Sequence, residues 1–234
     1  MHRTAGAWTS TVHRLLEHLH AHGIAWLPRP LGTDEQGREV LTFLPGTVPA
    51  YPMPHWVWAE DVLVTAGHWL ALVHAASAGF DTTDTVWQLP VHEPVEVVCL
   101  NDVAPYNMVF DDDHRLTGWI DVDTASPGPR AWDLAYLAYR LVPLTAADDT
   151  GAGPPNLRRS GDRLARLCAA YATAGDHVKI SPAVVLETVP PRLRELADWT
   201  AAHAAAGAQH VVPHVELYRQ DAAWCVTNAE SLTT

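Results

Sequence analysis

The chain has 234 residues, 48% hydrophobic and 18% charged, enough to bury a sizeable core as one large domain or two small lobes, and too apolar for disorder. Its 27 acidic against 15 basic residues give a formal net charge of −12, which repels phosphate backbones and anionic membrane surfaces; nucleic acid and membranes are poor partners and a cationic small molecule is an easier one. The three cysteines, Cys99, Cys168 and Cys225, form no C-x-x-C pair and no stretch of the sequence is a membrane span or signal peptide, so a reduced, cytoplasmic setting is expected.

From Thr9, the apolar residues Val12, Leu15, Leu16 and Leu19 recur at helical spacing and Gly23 supplies a stop, predicting a helix of about four turns. The segment "LPRPLGTDEQG" carries turn residues, and "REVLTFLPG" reads as a strand closed by Pro45-Gly46. A proline-rich connector leads to a second helix, roughly Ala59 to Ala78. "VEVVCL" (95 to 100), "NMVF" and "LTGWID" read as three strands, the last two joined by the Asp-rich turn "DDDHR". "TASPGPR" reads as an irregular loop, and "AWDLAYLAYRLV" restarts a helix at or just before Asp133. The last third is helical, over about Leu157 to Thr173, Pro191 to Ala206 and His214 to Glu230, with "TAADDTGAGPPN" as an exposed linker.

The stretch "CLNDVAPYNMVF" interrupts two apolar strands with polar residues. A hairpin brings its own ends together, so Asn107, entering it, and Asp121, leaving it, are expected side by side, with Asp102 on the overhanging loop. Magnesium takes hard oxygen ligands, a few from protein and the rest from phosphate and water. An amide and a carboxylate would serve, leaving Asp102 to orient a hydroxyl and accept its proton, an arrangement suited to phosphoryl transfer.

These residues carry a resemblance. "LNDVAPYN", then "LTGWIDVD" and "PRAWDLAY", resemble the catalytic segment of the aminoglycoside phosphotransferase and choline kinase family, related to protein kinases, with its pattern H-x-D-x-x-x-x-N followed by I-D-x-D. The resemblance implies an α+β, protein-kinase-like two-lobe fold, with a reduced N-terminal lobe over residues 1–46 and a mostly helical C-terminal lobe over residues 47–234. It implies ATP and magnesium as cofactors, Asp102 as catalytic aspartate, Asn107 and Asp121 as metal ligands, and Asp133 as a structural aspartate. "REVLTFLPG" resembles the adenine-binding hinge, so that Thr42 and Leu44 would offer backbone groups to adenine, and "HVELYRQDAAW" a C-terminal helix of some members.

Four departures concern the nucleotide and the catalytic loop. The motif's histidine is Leu100. Only eight residues precede Thr9, too few for the family's glycine-rich hairpin, and the single lysine, Lys179, lies far along the chain. Arg3, at a terminus expected to fray, is the nearest phosphate-contacting substitute, and the helical glutamate that would pair with it falls near Val12. The chain as given is thus expected to begin inside the strand that carries the phosphate-contacting residue. Asp111, Asp112 and Asp113 read as a solvated turn, His18 and His22 as a polar helix face, and Trp199 or Trp224 as candidates for an acceptor pocket; Asp123 fits either a supporting role or a turn. Two functions stay open: an ATP-dependent phosphotransferase acting on a small-molecule hydroxyl, with an aminoglycoside-like compound among the candidate acceptors, and a degenerate kinase-like protein that binds without catalysis.

Overall fold

The computed structural model describes residues 1–145, 157–206, 208 and 212–233. Strands β1 (His2–Arg3), β2 (Pro30–Thr33) and β3 (Glu39–Leu41) form an antiparallel sheet in the order β1-β3-β2, with helix α1 (Thr9–Ala21) between β1 and β2 in the chain. The α1 face carrying Val12, Leu15, Leu16 and Leu19 is buried, as the 3.6-residue spacing requires. Arg3 does not fray: Arg3 pairs with Glu39 across the sheet, because β3 offers an unpaired edge to the first residues. β2 lies in the segment read as turns, and only three residues of "REVLTFLPG" are strand.

A link from the sheet to the helical region runs through Gly46 and Thr47. Gly46 has φ +139°, and a Cβ there would stand 2.5 Å from the Phe110 carbonyl oxygen, so only glycine lets Thr47 exchange two backbone hydrogen bonds with Phe110. A 3₁₀ turn (His55–Trp58) and helix α2 (Glu60–Ser77) follow.

The central region holds β4 (Val97–Cys99), a 3₁₀ turn (Pro105–Asn107), β5 (Met108–Phe110), β6 (Leu116–Trp119) and β7 (Ser126–Gly128). β5 and β6 form the expected hairpin, and its Asp-rich turn is solvated, Asp111 accepting from the Asp113 and Arg115 amides. The loop "TASPGPR" contains β7, which pairs with β4; proline and glycine conceal it in the sequence, but a two-stranded ribbon leaves half of each strand's amides unneeded.

Helices α3 (Arg130–Leu141), α4 (Leu157–Ala172), α5 (Pro182–Ala205) and α6 (Val212–Thr233) complete the described fold. Most of the expected linker, residues 146–156, lies outside the described residues. Helix α5 starts well before Pro191 and runs through Pro190-Pro191. Ser181 caps its first turn, accepting from the Val184 amide, Pro182 occupies a first-turn site where no N–H is missed, and Val189, Pro190 and Leu193 are buried. This packing, with α6 alongside, offsets the two lost hydrogen bonds. One core joins α1 to α5, and no helix among the described residues is long and apolar enough to cross a membrane.

Candidate active site

The hairpin delivers Asn107 and Asp121 to one end. The Ile120 amide donates to the Asn107 carbonyl at 2.9 Å, just beyond the last ladder pair, Met108 with Trp119. Asp121 follows at φ 62°, a left-handed conformation that Asp and Asn tolerate better than other non-glycine residues, and it points to solvent. Asp102, Asn107 and Asp121 line one hollow of about 10 Å³, roughly the room of one water or ion.

Asp102 is held on both oxygens. The Tyr106 hydroxyl donates to Oδ1 at 2.7 Å, and the Asn107 amide nitrogen donates to Oδ2 at 2.9 Å and to the Asp102 carbonyl at 3.0 Å. Burial pushes the Asp102 carboxyl above the usual carboxylate range; the hydrogen bonds from Tyr106, Tyr136 and Asn107 oppose the shift and the charge of Asp121 adds to it. The Tyr106 phenol is pushed well up, first by burial and then by the charge of Asp102, so it remains a donor.

The loop before Asp102 is fixed from three sides. Asp133, fully buried at the start of α3, accepts from the Leu100 amide at 2.7 Å and the Asn101 amide at 2.9 Å, and lies 3.2 Å from His74 Nε2. This is the structural role expected of it. Asn101, at φ 65°, donates from its side chain to the Thr124 carbonyl and the Ser126 hydroxyl, while Arg192 of α5 donates to the Asn101 carbonyl at 2.8 Å. Leu100, in place of the motif's histidine, packs in the core. His74, Cys99 and Asp133 cluster closely enough to suggest a metal, but the hydrogen bonds of Asp133 and the His74–Tyr171 contact at 2.7 Å already use this group as a buried brace.

Arg3 reaches the same site from the sheet. Its guanidinium contacts Asp121 at 3.2 Å, Glu39 at 2.9 Å and Asp123. Burial works against its positive charge, but Asp123, Asp121 and Glu39 together raise its pKa. Among the described residues no helical glutamate completes this pair: Val12 is core, and the next residue, His13, lies 3.0 Å from the second oxygen of buried Glu39. Asp123, half-buried, is a partner of Arg3 and not a free turn residue. In the segment read as the hinge, the Thr42 amide already donates to the Arg29 carbonyl and the Thr42 hydroxyl accepts from the Arg29 amide, so that amide is engaged within the protein; Leu44 is half-buried. His18 and His22 bond to the Ala76 and His18 carbonyls, and their rings lie 4.2 Å apart, tilted by 33°, at the end of α1.

Tyr106, Glu39, His13 and Arg192 escape a reading of the sequence. Their partners stand 4, 36, 26 and 91 positions away; only Tyr106, inside the motif, carries a local signal.

Comparisons with known proteins bear on the segment that carries these residues and on the fold. The sequence model of the phosphotransferase enzyme family matches residues 82–152, the segment with Asp102, Asn107, Asp121 and Asp133. A trifolitoxin immunity protein of Rhizobium leguminosarum bv. trifolii is 32% identical over 174 residues, 70% of this chain; the chain spans 65% of that relative's length. A choline/ethanolamine kinase family protein of Mesorhizobium loti superposes with a TM-score of 0.60 at 11% identity, over 94% of this chain and 81% of that one. A macrolide 2′-phosphotransferase of Brachybacterium faecium does so with 0.58 at 16% identity, over 91% and 79%. The chain has the kinase-like α+β fold of these structures, with the small sheet and helical remainder that the resemblance implies, and its residues 82–152 match the phosphotransferase family model.

Proposed function

We propose that this chain transfers the γ-phosphoryl group of ATP to a hydroxyl of a small molecule, with residues 1–46 as the nucleotide lobe and residues 47–234 carrying the catalytic loop and acceptor region. The observation that carries this is the shared hollow of Asp102, Asn107 and Asp121 at the hairpin end. Asp102 would accept the acceptor's proton as its oxygen bonds to phosphorus and the bond to ADP breaks. Its carboxyl, raised by burial, is a stronger base than an exposed aspartate. The donor set fits magnesium: the Asn107 nitrogen faces Asp102, which leaves its oxygen as a ligand beside the Asp121 carboxylate. The ion would neutralise charge on the phosphates when bound. Arg3, beside Asp121, supplies a second positive charge there. A cytoplasmic setting, with ATP at hand and the three buried cysteines free, suits this activity.

The second reading, a kinase-like binder without turnover, is favoured by one feature: both Asp102 oxygens and the Asp121 carboxylate already have protein partners. Likeness to an immunity protein is compatible with both, since protection can rest on modifying a compound or on binding it. Calorimetric titration with MgATP, together with ADP release, separates them. Asp121→Ala is expected to abolish metal-dependent nucleotide binding, and Asp102→Asn to keep binding and lose transfer. Metal-dependent binding that is equal in wild type and Asp121→Ala would sink the site assignment.

A further inference from the structure

Tyr106 belongs to two places at once: its hydroxyl donates to Asp102, and its ring lines a cavity of about 740 Å³. That volume is in the range of small-molecule sites. Tyr51, Trp58, Tyr139 and Tyr218 add four more rings to the wall. Trp199, stacked on His203, and Trp224, packed against the core, are not among the residues that line this cavity.

The charges in this cavity are arranged against a cation. The guanidinium of Arg140 lies 5.7, 5.2 and 5.4 Å from the ring centroids of Tyr51, Tyr106 and Tyr139. These are the π faces that an ammonium ligand would seek, and a resident cation occupies them. Asp221, the carboxylate in the lining, is buried and accepts from the hydroxyls of Tyr139 at 2.8 Å and Thr145 at 2.6 Å. A net charge of −12 invites cations to the surface as a whole; this wall does not.

We propose that the cavity is the acceptor site, built for an uncharged hydroxyl compound with a flat, apolar-faced ring, and that the Tyr106 hydroxyl marks where the acceptor's hydroxyl binds Asp102. The assignment as acceptor site rests on the phosphotransferase reading above. In the reaction the acceptor hydroxyl replaces that of Tyr106 on Asp102 Oδ1. Its proton then passes to Asp102, its oxygen bonds to the γ-phosphorus, and the bond to the ADP oxygen breaks.

Titration calorimetry of the full chain without nucleotide tests the ligand class, with 4-nitrophenyl β-D-glucopyranoside as the neutral ring probe and kanamycin and choline as cations. The glycoside is expected to bind saturably and more tightly than either cation. Tyr51→Ala, at a side chain 52% exposed whose truncation spares the core, and Tyr218→Ala are expected to weaken it about tenfold. Tyr218→Phe, which keeps the ring, and Val226→Ala, on the exposed part of α6 outside the cavity, are expected to change nothing. No saturable glycoside binding, a cation binding as tightly or more so, or unchanged affinity in both alanine variants would overturn the proposal. Glycoside binding with this mutational pattern in a chain that shows no MgATP-dependent transfer would sink the phosphotransferase reading while leaving the ligand class standing.

Discussion

Asp102 is a half-buried carboxylate whose environment works in two directions. Burial raises its pKa, and the hydroxyl of Tyr106 and amide of Asn107, which favour the charged form, hold it down. A base must be ionised to act, so transfer is expected to fall as pH drops through this raised value, where an exposed aspartate would still be charged. Tyr106→Phe removes one stabilising donor and should move the acid limb of kcat/KM to higher pH; a limb that stays in place would exclude Asp102 as the titrating base. Asp133 is a different case, since two loop amides and His74 depend on it. Asp133→Ala leaves buried donors without partners and is expected to cost about 3–5 kcal/mol, read from urea unfolding midpoints. A loss within about 0.5 kcal/mol, the level of an ordinary surface change, would mean that the brace is replaced by water.

At the scale of elements, the loop that carries Asp102 is clamped between β7, α3 and α5, while Asp121 hangs on the β5–β6 hairpin. Arg192 is the α5 contribution: it bonds the Asn101 carbonyl and lies 4.9 Å from the ring centroid of Tyr136. Arg192→Met keeps the apolar stem and loses the hydrogen bond, for about 1–3 kcal/mol. Because Asp102 sits on the clamped loop and Asp121 does not, this variant should lower the transfer rate more than MgATP affinity. Equal losses in both would show that the two elements move together. The same clamp explains why α5 continues through Pro190-Pro191: stopping the helix there would remove the turn that carries Arg192.

Across the whole molecule, the formal charge of −12 is a repulsion that packing must overcome. The exposed pairs Arg38–Asp34, Arg115–Asp113 and Arg219–Asp198 contribute little each, so screening should relieve more repulsion than it removes attraction. Raising NaCl from about 20 to 300 mM, which shortens the screening length to well under the molecule's size, is expected to raise Tm by about 2–4 °C, equivalent to roughly 1 kcal/mol. A fall in Tm, seen by scanning calorimetry, would mean that the ion pairs outweigh the net charge.

Helix α1, the β5–β6 hairpin and the Asp102, Asn107, Asp121 constellation were legible in the sequence because each depends on neighbours within about 20 positions. Helical periodicity and hairpin closure are local rules. Strand β7 was not legible, since its Ser-Pro-Gly is a strand only because β4 lies beside it. The start of α5 was hidden by a proline pair whose cost is offset by burial. Nor could one-dimensional order show that Glu39 takes up both Arg3 and His13, or that Arg140 covers three tyrosine faces in a cavity walled by residues from 51 to 221. The sequence by itself determined which polar groups meet at the hairpin end, because those residues are close along the chain. Which groups brace that chemistry, and what can approach it, only the tertiary structure decided, because a wall made from distant helices exists only once they pack.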